Sequence, residues 1–194
     1  MQNITNEDLM CRVTAGNKHA FEALVDRHQR PVLNFIFRFL GDRVEAEDLA
    51  QEVFLRVWKS AGTYKPDAKF TTWLYRIAIN LCINKQRALR IRNWFSVSQP
   101  HELKQNSGDT FLAAEGAETT TAENHLINSE QSRRILNALN DLPSSQRLAI
   151  VLKIYDGLSY HEIAQLMNRS VSAVDSLLIR AKKNLRKKFA KTNF

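Results

Sequence analysis

Apolar side chains recur every three or four positions from about residue 5 to residue 90 and again from about residue 122 to residue 188, with no periodicity between. Such spacing lays one apolar stripe on each of several helices, and no stretch alternates as a half-buried strand must. Six glycines and four prolines are too few for the turns of a sheet. The expected fold is all-α, with two small helical domains of roughly 80 residues each. Residues 1–95 form the first, 96–123 a flexible linker, and 124–194 the second.

In the first part, Thr5 is placed to cap a helix with Asp8 three residues on, and Gly16 ends it. Phe21, Leu24, Val25, Val32, Phe35, Ile36 and Phe39 then predict a long helix up to Gly41, bent at Pro31. Ala46, Leu49, Ala50, Val53 and Val57 predict a third, Gly62 to Lys69 reads as a loop, and a fourth helix is expected from about Thr71 to about Arg90. The segment 96–123 is rich in Ser, Thr, Gly, Gln and Ala and cannot bury enough surface to offset its ordering entropy. It is acidic, with Glu102, Asp109, Glu115, Glu118 and Glu123 against Lys104, although both flanks carry excess base. Four helices are expected after it, the first ending at Leu142-Pro143, the second running from Ser145 to Tyr155, the third opened by a Ser159/Glu162 capping box, and the last following Asn168-Arg169-Ser170.

A formal net charge of +8 draws the chain toward polyanions, nucleic acid or an anionic surface. No apolar run approaches the ~20 residues of a spanning helix and the N-terminus lacks a signal-peptide pattern, so the expected location is the cytoplasm, without membrane insertion. Cys11 and Cys82 sit in apolar helical patterns and are expected to act as small buried hydrophobes rather than as a disulfide.

Two helices around a three- or four-residue turn, the second basic, outline a helix-turn-helix. At ~100° per residue, Val174, Leu177, Leu178, Ala181 and Leu185 share one side of the last helix, and Ser172, Ser176, Ile179, Lys183 and Arg186 the other, flanked by Arg180 and Lys187. A major groove needs small polar side chains near the helix start and cations further along, and this helix supplies them in that order. Ile179 suits a thymine methyl, and Asp175 can accept from a cytosine amino group. A solvated basic face on a bundle helix is the plainer alternative.

On the fourth helix Leu74, Ile77, Ala78 and Leu81 make a core stripe, beside which run Trp73, Arg76, Asn80, Asn84 and Arg87. An aromatic ring followed by amides and guanidinium groups offers unpaired bases a stacking partner, hydrogen-bonding edges and phosphate neutralisation. Tyr64 and Phe70 are expected to add π surface just before it, although a tryptophan that simply closes the core would explain Trp73 alone. The third helix carries Asp42, Glu45, Glu47, Asp48 and Glu52 against Arg43. That face is expected to turn from phosphate and meet a positively charged protein, or to stabilise its helix N-terminus.

These residues resemble the sigma factors of RNA polymerase, specifically the extracytoplasmic-function group. The likeness rests on Asp48-Leu49-Ala50-Gln51-Glu52-Val53-Phe54, on the run from Thr72 to Asn80, on Leu142-Pro143 with Arg147, on the run from Gly157 to Ala164, and on Arg180-Ala181-Lys182. It implies a protein that binds core RNA polymerase and promoter DNA and performs no chemistry. Asp48, Gln51, Glu52 and Phe54 would grip a coiled coil of the polymerase's largest subunit. Tyr64, Phe70, Trp73, Arg76 and Asn80 would capture an extruded base of the minus-10 element, with Asn84 and Arg87 continuing the stripe. Ser172, Ser176, Ile179, Arg180 and Lys183 would read the minus-35 element, where Asp175 and Leu177 replace residues that are basic in many relatives. The resemblance also implies that the acidic linker threads the polymerase channels, and it brings an anti-sigma factor as an expected partner.

A stand-alone helix-turn-helix regulator is the rival reading, but it would not need the Trp73 stripe or the acidic third helix. His161-Glu162 begins a metalloprotease-like motif, yet Gln165 stands where the second metal-binding histidine must be. No enzyme activity, metal, cofactor or small-molecule substrate is therefore expected.

Overall fold

The structure is a computed structural model that describes residues 4–66, 69–95 and 122–192. The expected linker falls almost wholly outside the described residues. Among them are eight α-helices, one 3-10 turn at Ala61–Thr63 and no strand. None of these helices is long and apolar enough to cross a membrane.

Helix α1 (Asn6–Thr14) opens with the Thr5/Asp8 capping box and is followed by Gly16 at φ +84°. Helix α2 (Lys18–Leu40) is capped by Asn17, whose side chain accepts the Ala20 N–H, and it runs through Pro31 unbroken. Its end is set by Gly41 at φ +77°, a left-handed conformation that costs other residues energy. Gly41 answers a second demand, because a Cβ there would collide with the side chain of Asn140. Helix α3 (Arg43–Lys59) is capped by Asp42, and α4 spans Phe70–Phe95, several residues past the expected end. Leu9, Met10 and Val13 of α1 join Leu24, Val32, Phe35, Ile36, Phe39, Ala46, Val53, Val57, Leu74 and Ala78 in packing these four helices together.

Helices α5 (Ala122–Asn140), α6 (Ser144–Ile154), α7 (Tyr160–Met167) and α8 (Val171–Thr192) follow. The Ser159/Glu162 capping box starts α7, and Asn168 ends it in the left-handed region at φ 51°, where an asparagine is tolerated better than most residues. Burial of Leu148, Val151, Leu152, Ile163, Val174, Leu178 and Ala181 joins α6, α7 and α8.

The two groups of helices also pack on each other, α2 against α5 and α6, and α4 against α7. Arg147 of α6 is 6% exposed and donates from Nη1 to the Phe39 carbonyl of α2 (2.7 Å). The Tyr75 hydroxyl donates to Asp156 Oδ1 (2.8 Å), and the Arg38 guanidinium lies 4.2 Å from the centre of the Tyr155 ring. Cys82 is buried, and burial pushes its thiol up to about 12. Cys11 corrects the expectation, because it faces solvent on α1, whose buried side is taken by Leu9, Met10 and Val13.

Candidate nucleic-acid interface

The two-faced character of α8 follows from its register against α6 and α7. Val174, Leu178 and Ala181 are almost fully buried, Leu177 is 8% exposed and Leu185 is half-buried against them. Ser172, Ile179, Arg180, Lys183, Arg186 and Lys187 are exposed, while Asp175 and Ser176 are half-buried at the edge. Ile179 at 58% exposure is the informative residue, since an apolar side chain left in water on a helix otherwise well packed suits contact with another molecule. Ser170 Oγ accepts the Ala173 N–H and stiffens the entry to this helix. Ile179 and Lys182, Lys183, Arg186 and Lys187 border one shallow cationic recess.

On α4 the exposed stripe is Arg76, Asn80, Asn84 and Arg87, with Trp73 half-buried at its head. The loop before it differs from expectation. Tyr64 is 8% exposed and Phe70 is fully buried, so neither offers open π surface here. Both rings turn inward because burying them recovers apolar free energy that a free loop would forgo. Trp73 lies 5.3 Å from Tyr64 and 6.2 Å from Phe70, centroid to centroid, and His28 of α2 lies 5.3 Å from Phe70. Trp73 alone of the three thus keeps an accessible edge, set in a rigid aromatic seat. Burial, with Arg27 nearby, holds the His28 imidazole below its ordinary pKa against the pull of Glu7.

The acidic side of α3 is partly neutralised where it stands. Glu47 pairs with Arg43 (2.9 Å), Glu52 with Arg56 (2.7 Å) and Glu45 with Lys85 of α4. Asp42 accepts the Glu45 N–H as the helix cap. Asp48 and Gln51 are exposed, whereas Phe54 is only 7% exposed and forms floor rather than a protruding contact. That floor belongs to an open groove of about 880 Å³ between α2 and α3, apolar through Phe21, Val25, Leu33 and Leu55, with Asp26, Arg30, Glu47 and Gln51 at its rim. The acidic run marked this face in the sequence; the apolar groove beneath it went unread, because its residues come from two helices.

The same arrangement has counterparts among known proteins. The profile of sigma-70 region 2 matches residues 24–92, which hold α3 and most of α2 and α4, and that of sigma-70 region 4 matches 132–185, which hold α6, α7 and most of α8. The chain is 34% identical over 182 residues to the RNA polymerase sigma-H factor of Pseudomonas aeruginosa, covering 94% of this chain and 92% of that one. It is 33% identical over 176 residues to the sigma factor SigW of Bacillus subtilis, covering 91% and 92%. Its fold is similar to that of CnrH, solved with the cytosolic domain of CnrY, at TM-score 0.68 and 22% identity over 97% of this chain and 99% of that one. RpoE of Bartonella quintana, solved with the anti-sigma factor NepR, is similar at TM-score 0.68 and 19% identity, covering 88% and 96%. Full-length identity above 30% together with both regional matches makes this chain a member of the extracytoplasmic-function group of the sigma-70 family of RNA polymerase sigma factors.

Proposed function

We propose that this sigma factor divides promoter-specific initiation among three surfaces, within domain boundaries at 1–95, 96–123 and 124–194. The α2–α3 groove, with Asp48, Gln51, Glu52 and the Phe54 floor, docks core RNA polymerase. Trp73, Arg76 and Asn80, continued by Asn84 and Arg87, receive the minus-10 strand, with Tyr64 and Phe70 backing Trp73. Ser172, Asp175, Ser176, Ile179, Arg180 and Lys183 face the minus-35 element. The observation that carries this reading is the coexistence, in one chain, of a two-faced helix behind a short turn and a separate stripe of a half-buried Trp73 followed by exposed Arg76 and Asn80. A stand-alone regulator has use for only the first. An anti-sigma partner is supported by the relatives CnrH and RpoE, whose structures are complexes with CnrY and NepR.

Strand opening would then be driven by binding. Extruding a base costs a few kcal/mol and each stacked base returns ~1 to 3 kcal/mol. The decisive experiment is transcription by sigma-free core polymerase, supplemented with this protein, from a randomised promoter library. Recovery of one two-part consensus is expected, and no sigma-dependent transcript would end the reading.

Asn80→Ala is expected to slow minus-10 opening about tenfold while leaving closed-complex affinity within about twofold, because an edge contact to an extruded base, worth ~1 to 2 kcal/mol, exists only after melting. Equal losses in both steps would remove Asn80 from base contact. Arg180→Ala is expected to weaken minus-35 binding and flatten its salt dependence by about one unit of slope, as one lost phosphate contact does. An unchanged slope would show that Arg180 meets no phosphate.

A further inference from the structure

Among the described residues, helix α4 takes its first cap from another helix. The Lys69 carbonyl accepts the first helical hydrogen bond, from the Trp73 N–H (3.3 Å), which puts Lys69 at the N-cap, and a lysine side chain has no acceptor to give. The Phe70 N–H is instead taken by Glu7 Oε1 of α1 at 2.8 Å, across 63 residues of sequence. A carboxylate at that point also meets the favourable end of the helix dipole. Helix α1 holds the other end of the same loop, since Thr14 Oγ1 lies 3.3 Å from the Ala61 carbonyl. Arg27 of α2 fixes α1 in turn, donating to the Ile4 carbonyl (2.9 Å) and to Asn6 Oδ1 (3.2 Å). Helix α1 therefore spans the 61–70 loop from end to end, and it lies outside the residues matched to region 2.

We propose that α1 braces the aromatic seat of Trp73 and that Glu7 is a positioning residue for minus-10 base capture, acting through the first turn of α4. The proposal rests on the assignment of Trp73 and Asn80 to the minus-10 strand. Trp73 is one turn from the atom that Glu7 holds; Phe70, which backs its ring, is the residue so held, and Tyr64, the other ring behind it, lies between the two points at Ala61 and Phe70 that α1 fastens. Loss of the carboxylate leaves the Phe70 N–H unpaired and frees the loop at the end nearest the ring.

The test uses holoenzyme on the strongest promoter recovered from the library, with 2-aminopurine in the non-template minus-10 strand to report opening. A charge-assisted hydrogen bond is commonly worth ten- to a hundredfold. Glu7→Ala is therefore expected to slow opening by about tenfold, while core-polymerase affinity and binding to a minus-35 duplex stay within about twofold. Glu7→Gln keeps an oxygen acceptor at the same place and is expected to recover most of the loss. Unchanged opening in Glu7→Ala, no recovery in Glu7→Gln, or equal losses across opening, core binding and minus-35 binding would each overturn the brace. Trp73→Ala is run beside them. If it too opens normally, the base-capture assignment fails; if it is slow while Glu7→Ala is normal, only the brace fails.

Discussion

Arg147→Ala is expected to cost about 3 to 5 kcal/mol of stability, because it leaves several buried acceptors unpaired at ~1 to 3 kcal/mol each, and to lower the unfolding midpoint by on the order of 10 °C. The guanidinium is buried, and backbone carbonyls and an amide oxygen receive it. Nη1 donates to the Phe39 carbonyl (2.7 Å) and to Asn140 Oδ1 (3.0 Å); Nη2 donates to the carbonyls of Asn140 and, at 3.4 Å, of Leu142. These acceptors lie at the C-terminal ends of α2 and α5, where helices leave carbonyls unsatisfied and partial negative charge accumulates. One cation thus finishes two helices from the two groups, and alanine strands several buried acceptors at once. Arg147→Lys is expected to recover less than half, because one ammonium cannot span both helix ends as a planar fork does. Thermal unfolding followed by circular dichroism checks both, and a loss below about 1 kcal/mol would show that these carbonyls find water instead.

What the sequence disclosed and what it withheld divide by distance along the chain. The Thr5/Asp8 and Ser159/Glu162 boxes, the left-handed ends at Gly41 and Asn168, and the opposite faces of α8 depend on residues within about two turns of one another, and all were legible. Tyr64 and Phe70 were misplaced because a loop aromatic beside polar neighbours looks available until the core that wants it is assembled. Three glutamates of α3 looked free because their partners occupy helical neighbours already counted as solvated, or, for Lys85, another helix. Glu7 carried no signal toward Phe70, and nothing local in Tyr75 or Asp156 announced the contact between the groups. The surfaces proposed to read DNA were thus easier to find than the supports that hold them.

That contact has to yield when a promoter is read. Elements named minus-10 and minus-35 lie about 25 base pairs apart, or about 85 Å at 3.4 Å per pair, whereas a compact body of 194 residues is about 42 Å across. On the proposed division of the promoter the packed groups cannot reach both, so α5–α8 are expected to leave α1–α4 on the polymerase. Asp156 is expected to make this separation sensitive to pH. Burial pushes its carboxyl up to about 6, against the lowering pull of the Tyr75 hydroxyl and of Arg38. Burial, the Asp156 charge and the hydrogen bond to Asp156 raise the Tyr75 pKa, so Tyr75 stays the donor. A raised carboxyl pKa in the packed form means that packing disfavours the charged state. The cost is absent below the ordinary value of 3.8, grows between pH 4 and pH 6, and is complete above it. The ratio of separated to packed molecules is expected to rise about tenfold from pH 5 to pH 7.5, about 1.4 kcal/mol. Asp156→Asn retains an acceptor for Tyr75 without the charge, and is expected to abolish that dependence and to slow association with core polymerase at pH 7.5. Energy transfer between dyes at Arg56→Cys and Lys182→Cys, both exposed, in a Cys11→Ser background reports the separation directly. A transfer efficiency indifferent to pH, or equally responsive in Asp156→Asn, would show that the carboxyl does not govern the contact between the two groups.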